Sequence, residues 1–343
     1  GCTPAKAELV WQDAMNLVTD IKYNADSNGG NISFKVDRSS IRQGNAVIAI
    51  KDVSDAILWS WHVWVTDEDI NNVIEITNHQ NVKYNFMPVN LGQCDGNTIT
   101  YEERSCKVKF IAGDQSKEIT IKQLANVIAT GSNAPFYQWG RKDPLYPSNG
   151  MGNTTKIWYD KEGIPSTANP MKGTFSAGND CIKNCILNPN LMHNRYNGDY
   201  TYYNLWSADN KTTSANDNPV NKTIYDPCPV GFKLPASNAF TGFTTTGESV
   251  SSSTQVNGTW SSSEKGWYFY TNSEKTQSIF FPALGYRSYS TMRPGSIGTQ
   301  GCFWSAHPVA KGNNYYLRTS SVDVQPTYMV DRGFGYALRP CQD

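Results

Sequence analysis

Alternating apolar and polar residues predict β-strands in the first fifth of the chain. Residues 31–36 read Asn-Ile-Ser-Phe-Lys-Val, and this period of two is typical of a strand with one buried face. Turn-forming residues at 26–30 and 42–45 separate this run from its neighbours. The pattern predicts a small antiparallel unit of Ig-like or sandwich type over residues 1–66, with strands at 8–11, 20–23, 31–36, 46–50 and 57–65.

The most apolar of these strands, Ile57–Val65, carries large side chains on both faces. Trp59 and Trp61 alternate onto one face, and Trp64 onto the other. We expect such a strand to be buried between two layers, where the first unit meets the second. His62 lies inside it and is expected to be a hydrogen-bonded structural residue, because none of the four histidines has metal-ligand spacing.

Residues 67–343 are predicted to form a second domain that is rich in long loops. The apolar spacing at 118–129 predicts a strand followed by a short helix, whereas 126–221 shows no sustained period and is dense in Asn, Gly, Pro and aromatic residues. Aromatic anchors are expected to hold these loops against the body of the domain. The fold class is therefore predicted as mainly β with α+β character, and later strands are predicted at 258–262, 266–270, 278–282, 301–305, 315–319 and 335–339.

The charge balance argues against two classes of partner. Lys and Arg number 30, Asp and Glu also number 30, and charged residues make up only 17% of the chain. Nucleic acids and anionic lipid surfaces both require a concentrated basic face, so neither is expected as the main partner. No run of about 18 apolar residues occurs, so the expected link to a membrane is limited to a lipid anchor upstream of Gly1 or at Cys2.

Eight cysteines are compatible with an oxidising compartment. Cys94 with Cys106, and Cys181 with Cys185, are close enough in sequence to close short loops, and the pairing stays open. A Cys228–Cys341 disulfide would tie the last strand to the start of its own segment. No two tight Cys/His pairs occur, so no metal site is predicted.

The sequence motif at 222–235 reads Lys-Thr-Ile-Tyr-Asp-Pro-Cys-Pro-Val-Gly-Phe-Lys-Leu-Pro. Its prolines favour extended backbone and its glycine permits a turn, which indicates scaffold rather than chemistry. The motif closely resembles the signature of the Fibrobacter-type major paralogous domain. Further segments resemble the same family in the expected order, at 57–67, 87–92, 137–144, 282–287 and 303–306.

This resemblance covers residues 55–341, and it implies a fimbrillin-like surface protein or lipoprotein of Bacteroides-type bacteria. It also implies a fold similar to C-type lectins over 67–343: a small twisted sheet, one or two short helices and long loops. Calcium-dependent sugar binding is not expected, because Gln325-Pro326-Thr327 lacks the carboxylate of the calcium-binding motif. The related formylglycine-generating enzymes use paired cysteines, but Cys302 and Cys341 have no neighbouring base.

No catalytic, cofactor or metal-binding residue is therefore predicted, and we expect a protein that is not an enzyme. The favoured hypothesis is a fimbrial tip or accessory component at the outer membrane or on a fimbria. It would bind a glycan or protein on another cell surface through a candidate ligand surface formed by Trp158, Tyr159, Tyr202, Tyr203, Trp206, Tyr286 and Arg287.

Two alternatives remain open. A structural pilus subunit would have other fimbrial subunits as partners and would assemble by strand donation, which requires a groove or a missing edge strand in the first unit. A surface glycan-acting enzyme would require two carboxylates converging in a cleft. No sequence motif points to such a pair.

Overall fold

A computed structural model describes residues 2–130, 132–146, 155–173, 178–193, 205–208, 212–309 and 312–343. Strands take up 44% of the chain and helices 6%, and the sheets are antiparallel with one short exception. The protein is therefore mainly β, as predicted. In the part of the chain described here, no helix has the length and apolar character needed to cross a bilayer.

The first unit contains the five strands that alternation predicted. β1, β4 and β5 pair as one antiparallel sheet, while β2 and β3 form a separate hairpin. Leu17, Ala46 and Ile48 are buried between them. The bounds are β1 (Lys6–Gln12), β2 (Thr19–Asn24), β3 (Asn31–Lys35), β4 (Gly44–Lys51) and β5 (Ile57–Val65).

The segment that follows is loop-rich, as expected, but the helix predicted within 118–129 is wrong. These residues belong to two strands, β10 and β11. β10 pairs with β9 and β11 pairs with β8, in both cases antiparallel and over the full length of the strand. The elements are β6 (Ile74–Thr77), β7 (Lys83–Phe86), β8 (Asn97–Tyr101), β9 (Arg104–Ala112), β10 (Gln115–Gln123), β11 (Asn126–Thr130), β12 (Tyr137–Gln138), β13 (Trp158–Tyr159), β14 (Pro165–Ser166), β15 (Met171–Gly173), α1 (Gly178–Leu187) and β16 (Leu191–His193).

The C-terminal segment confirms the predicted return of strands. β18, β19 and β20 form one meander, and β23, β24 and β25 form another. Two 3₁₀ helices, Ser237–Phe243 and Ser253–Gln255, precede them. The strands are β17 (Phe232–Lys233), β18 (Gly258–Ser261), β19 (Gly266–Tyr270), β20 (Ser278–Pro282), β21 (Tyr286–Arg287), β22 (Pro294–Gly295), β23 (Gly301–Pro308), β24 (Asn313–Thr319), β25 (Val324–Asp331), β26 (Gly335–Tyr336) and β27 (Cys341–Gln342).

Aromatic rings fill the core of the second unit. Phe243 stacks on Phe269 with ring centroids 3.9 Å apart, and Phe281 meets Phe303 edge-on at 5.0 Å. A neighbouring cluster contains Trp139 and other large rings, all buried. Each fully buried ring of this size contributes about 1.5–3 kcal/mol, so ring packing accounts for much of the stability of this unit.

One sheet contains strands from both sides of the predicted boundary at residue 66. Its order is β14-β13-β1-β4-β5, so residues 158–166 of the second unit extend the sheet of the first. The division into 1–66 and 67–343 stays a prediction. The two segments nevertheless share backbone pairing.

Strand β5 lies where the first unit contacts the second, and two of its three tryptophans make contacts there. Trp59 contacts the Tyr225 ring at 6.3 Å, and the Trp64 indole N–H donates to the carbonyl of Gln93 at 3.0 Å. Trp61 is 43% exposed, so the expectation that all three rings are buried is wrong for this one. The side chain of Trp61 faces a cleft in the first unit.

The motif at 222–235 is held by its own side chains. The Asp226 carboxylate accepts hydrogen bonds from the backbone N–H groups of Cys228 and Leu234, at 2.8 and 3.0 Å. The Lys222 ammonium donates to three carbonyls of the same loop, including that of Phe232. These contacts fix a loop conformation, which is the scaffold role that the sequence predicts.

Candidate functional site

Two residues of the predicted ligand surface are buried, which corrects their assignment. Trp206 is fully buried, and its indole N–H donates to the carbonyls of Arg141 and Tyr225. Arg287 is only 2% exposed, and its guanidinium is occupied by carbonyl and amide oxygens inside the protein. The sequence could not separate the anchor Trp206 from the accessible ring of Trp158, because both lie in the segment 126–221, which shows no sustained period.

The other predicted residues have different outcomes. Tyr202 and Tyr203 lie outside the described residues. Tyr286 is half-buried and meets Phe334 edge-on at 5.6 Å, so it mainly supports the core. Trp158 and Tyr159 are both half-buried, and they form strand β13 at the margin of the first sheet.

Trp158 is the exposed layer of a stack that we name the aromatic platform, formed by Trp158, Tyr146 and Trp11. The rings of Trp158 and Tyr146 are parallel, with centroids 4.1 Å apart and an interplanar angle of 12°. Trp11 is fully buried and meets Tyr146 edge-on at 5.7 Å. The Trp158 indole N–H donates to the carbonyl of Ala168 at 3.0 Å, which fixes the ring's orientation.

Arg287 supports the platform from inside the protein. Its guanidinium donates to the carbonyl of Tyr146 at 3.1 Å and to the Asn169 amide oxygen at 2.9 Å. Burial lowers the pKa of Arg287 to about 10, which still leaves the group charged at neutral pH. The structure thus brings Trp158 and Arg287 together, with Arg287 as a support and Trp158 as the accessible ring.

A second feature, the polar cleft, lies on the other face of the same sheet from the platform. It has a volume of about 480 Å³, and its walls are β1, residues 16–21 at the start of β2, and the turn at 160–163. Tyr159 directly follows Trp158 on β13 and pairs with Gln12 of the cleft wall, so its side chain lies on the cleft face and that of Trp158 on the opposite face. Hydrogen-bonding groups in the cleft come from Gln12, Asn16, Thr19, Asp20, Asp160 and Glu162.

The electrostatics of the polar cleft favour a fixed, ionised carboxylate. Glu8 accepts from the ammonium of Lys51 at 2.7 Å, and Lys161 lies 3.6 Å from the same oxygen. These contacts lower the pKa of Glu8, chiefly through the hydrogen bond to Lys51. A general acid of the glycosidase type requires a raised pKa, so Glu8 is suited to hold a ligand hydroxyl rather than to donate a proton.

The platform matches the apolar side of a neutral sugar. A flat indole face packs against the apolar C–H face of a ring, whereas the carboxylate and amide groups of the polar cleft lie on the other face of the sheet. Two exposed apolar side chains, Ile157 and Ile164, lie close to Trp158 in the sequence. The arrangement can bind and orient a neutral polar ligand.

A buried polar trio that sequence reasoning missed joins the two units. The Lys142 ammonium contacts the Asp143 carboxylate at 2.7 Å and donates to the carbonyl of Ser60 at 2.9 Å, and the Ser60 hydroxyl donates to Asp143 at 2.8 Å. Lys142 also lies 4.4 Å from the centre of the Trp59 ring. Burial lowers the pKa of Lys142, and the Asp143 carboxylate opposes that shift. The pair is buried and holds β5 against the second unit.

All eight cysteines are unbonded in this structure, so the disulfide pairing stays a prediction. Cys228 and Cys341 are both buried, and burial raises the pKa of both thiols, to about 12 for Cys341. Cys94 is buried, whereas Cys106 is exposed on β9. Cys181 and Cys185 lie one turn apart on α1, and a hydrogen bond between them lowers the pKa of Cys185.

Neither a search for metal-binding clusters nor comparison with known proteins assigns a function to this site. Among the described residues, no three His, Cys, Asp or Glu side chains form a cluster that would hold a metal ion. Comparison of the chain with protein families, curated proteins and solved structures finds no match.

Proposed function

We propose that this chain is an extracellular binding module of the fimbrillin-like kind, which recognises a neutral glycan at the aromatic platform without catalysis. The observation that carries the proposal is the Trp158 ring, half-exposed and held parallel to the buried Tyr146 ring. A ring held in place before binding loses little entropy when a ligand stacks on it.

A C-type-lectin-like fold for 67–343 is part of this proposal. The segments that resemble the major paralogous domain meet in space, which supports it. The Trp139 indole N–H donates to the carbonyl of Ser305, and that of Trp304 donates to the carbonyl of Tyr137. The buried Arg339 donates to Asn90. Segments far apart in the sequence therefore form one interior, as expected of scaffold positions in such a domain.

A glycan array tests the proposed function. Trp158→Ala removes the exposed face of the platform, and we expect every reproducible hit of the unaltered chain to weaken by about tenfold or more, since a lost ring contact is worth about 1.5–3 kcal/mol. Tyr328→Ala is the matched control, because Tyr328 is an exposed ring of the second unit, 46% accessible and on the separate strand β25. Hits that survive Trp158→Ala would overturn the proposal.

A specific observation favours a second candidate function, that of a structural subunit assembled by strand donation. The first unit contains an apolar cleft of about 610 Å³ between the β2–β3 hairpin and the face of β4 and β5, lined by Ile32, Phe34, Ile48, Trp61 and Val63. Phe34 and Trp61 are 42% and 43% exposed there. An extended segment of a neighbouring subunit would bury these side chains.

Mass photometry of the purified chain over a range of concentrations tests this second function. Growing oligomers that disappear in Phe34→Glu would support it, because the substitution places a charge in the apolar cleft. A chain that remains monomeric at all concentrations would argue against it and leave the binding module as the sole proposal.

A further inference from the structure

A long hairpin projects from the second unit, and we name it the arm: residues 104–123, formed by β9 and β10. Every residue of β10 is exposed, and so is every residue of β9 except Val108. The exposed large apolar side chains of the protein are concentrated here and at the base of the arm, at Tyr101, Phe110, Ile111, Ile119, Ile121, Leu124 and Val127.

The register of the arm gathers most of its apolar side chains on one face, which also carries Lys117 opposite Phe110. Val108 lies opposite Ile119, and Cys106 lies opposite Ile121, while Phe110 is on the same face by alternation. The opposite face carries charged side chains, with Lys107 paired to Glu118 at 2.9 Å. The arm is thus amphipathic although both of its faces are accessible.

Such a hairpin requires a partner for its apolar face. A two-stranded hairpin alone is at best marginally stable in water, and a contiguous exposed apolar patch marks an interaction site. Nine residues per strand give a face about 30 Å long and about 10 Å wide, or about 300 Å². This is well below the ~800 Å² per partner of a standard interface, so a flat contact on one face is insufficient.

The same chain presents a complementary surface, the apolar cleft of the first unit. A cleft covers the margins of an entering hairpin as well as one face, so it buries more area than a flat contact does. Charge favours this pairing over arm against arm. The arm has five basic residues and two acidic ones, a net charge of +3, whereas residues 1–66 have six basic and seven acidic ones, a net charge of −1.

We infer that the arm of one copy docks its apolar face into the apolar cleft of a second copy. This inference rests on the second candidate function and names the donor. The two surfaces differ, so the contact is heterologous: each copy offers one arm and one cleft, and repetition yields an open head-to-tail chain. Phe110, Ile119 and Ile121 of the arm meet Phe34 and Trp61 of the cleft.

Two interface variants and two matched controls test the inference. Ile119→Lys places a charge on the apolar face of the arm, and Phe34→Glu places a charge in the apolar cleft. Both positions are partly exposed, at 44% and 42%. Thr120→Lys lies on the other face of the same arm strand, and Val53→Glu lies in an exposed turn of the first unit, 90% accessible. Each interface variant alone is expected to be monomeric by mass photometry, and each control is expected to assemble like the unaltered chain.

The decisive step mixes the two interface variants. One retains an intact cleft and the other an intact arm, so the mixture forms a one-to-one dimer and nothing longer. A symmetric contact between two arms would instead leave Phe34→Glu fully able to dimerise. That result would overturn the inference, and so would a mixture that remains monomeric.

Cysteine crosslinking reports the contact directly. Cys106 lies on the apolar face of the arm, so in a Cys2→Ser background mild oxidation should link it to Phe34→Cys of another copy. Peptide mass mapping distinguishes this bond from Cys106–Cys106. Oligomers that persist without the Cys106 to position 34 bond, and that tolerate Ile119→Lys, would refute the arm as donor while leaving strand donation by another segment in place.

Discussion

His62 shows how a single half-buried side chain links stability to pH. Its Nε2 atom lies 2.9 Å from the Asn45 amide oxygen, and its Nδ1 atom lies 2.9 Å from the Tyr137 hydroxyl. The Asn45 amide nitrogen donates to Asp13 and to the carbonyl of Gly92, so its oxygen faces His62 and accepts from Nε2–H. The expectation of a hydrogen-bonded structural histidine is confirmed.

Burial lowers the pKa of His62 to about 3, from a value near 6.5 in the unfolded chain. Between these pH values the unfolded state binds a proton that the folded state does not, so the free energy of unfolding falls as pH falls from about 6.5 towards 3. At pH 4.5 the protonation of this one group in the unfolded state lowers the free energy of unfolding by about 2–3 kcal/mol. In His62→Gln we expect lower stability at pH 7 but a shallower decline below pH 6.5, measured by urea unfolding at several pH values.

His79, whose side chain lies beside Gly247 rather than in the unit junction, provides the control substitution. His79→Gln should retain the decline of the unaltered chain. If His62→Gln and the unaltered chain lose stability in parallel from pH 6.5 to pH 4, the assignment to His62 is wrong.

The ion pair of Lys142 and Asp143 gives a second prediction at the scale of residues. Lys142→Ala leaves Asp143 buried without its counter-ion, and we expect a loss of about 3–5 kcal/mol in the free energy of unfolding. Lys83→Ala breaks a comparable pair with Glu75 on the surface, 2.9 Å long, and should change stability by less than about 1 kcal/mol. If Lys142→Ala and Lys83→Ala lower the free energy of unfolding by the same amount in urea, burial does not make the Lys142–Asp143 pair more important for stability than a surface pair.

At the scale of elements, alternation was a good guide wherever one face of a strand is buried. The strands at 266–270 and 278–282 were predicted at their observed bounds. The error at 118–129 has a physical cause: Ile119, Ile121, Leu124 and Val127 also lie near helical spacing, and only backbone pairing with β9 and β8 decides the outcome. Helix α1 was missed because its apolar positions are few and are interrupted by Asn, Asp and Lys.

The arm is expected to be the least stable element, because few of its side chains are buried. Its turn uses Gly113 at a φ of +59°, a conformation that β-branched residues adopt only with strain. In Gly113→Val we expect the amides of β9 and β10 to exchange hydrogen at least about tenfold faster, while those of β23 and β24 are unchanged. Hydrogen exchange measured by mass spectrometry checks this. Exchange that becomes faster to the same extent in both pairs of strands would contradict it.

At the scale of the whole molecule, the first unit and the second unit are tied by shared sheet pairing and by polar contacts across β5. This joint also builds the candidate site: the platform takes Trp11 from the first unit and Trp158 from the second, and the polar cleft has walls from both. Composition predicted aromatic and neutral polar recognition. It could not predict which rings remain accessible, because that depends on how distant segments pack.

Isothermal titration with the strongest oligosaccharide from the array tests the central claim most directly. We predict that binding to Trp158→Ala is weaker by about tenfold or more, while Tyr328→Ala and the unaltered chain bind alike, with circular dichroism confirming that all three are folded. Equal affinity of Trp158→Ala and the unaltered chain would contradict the claim that the aromatic platform is the binding site.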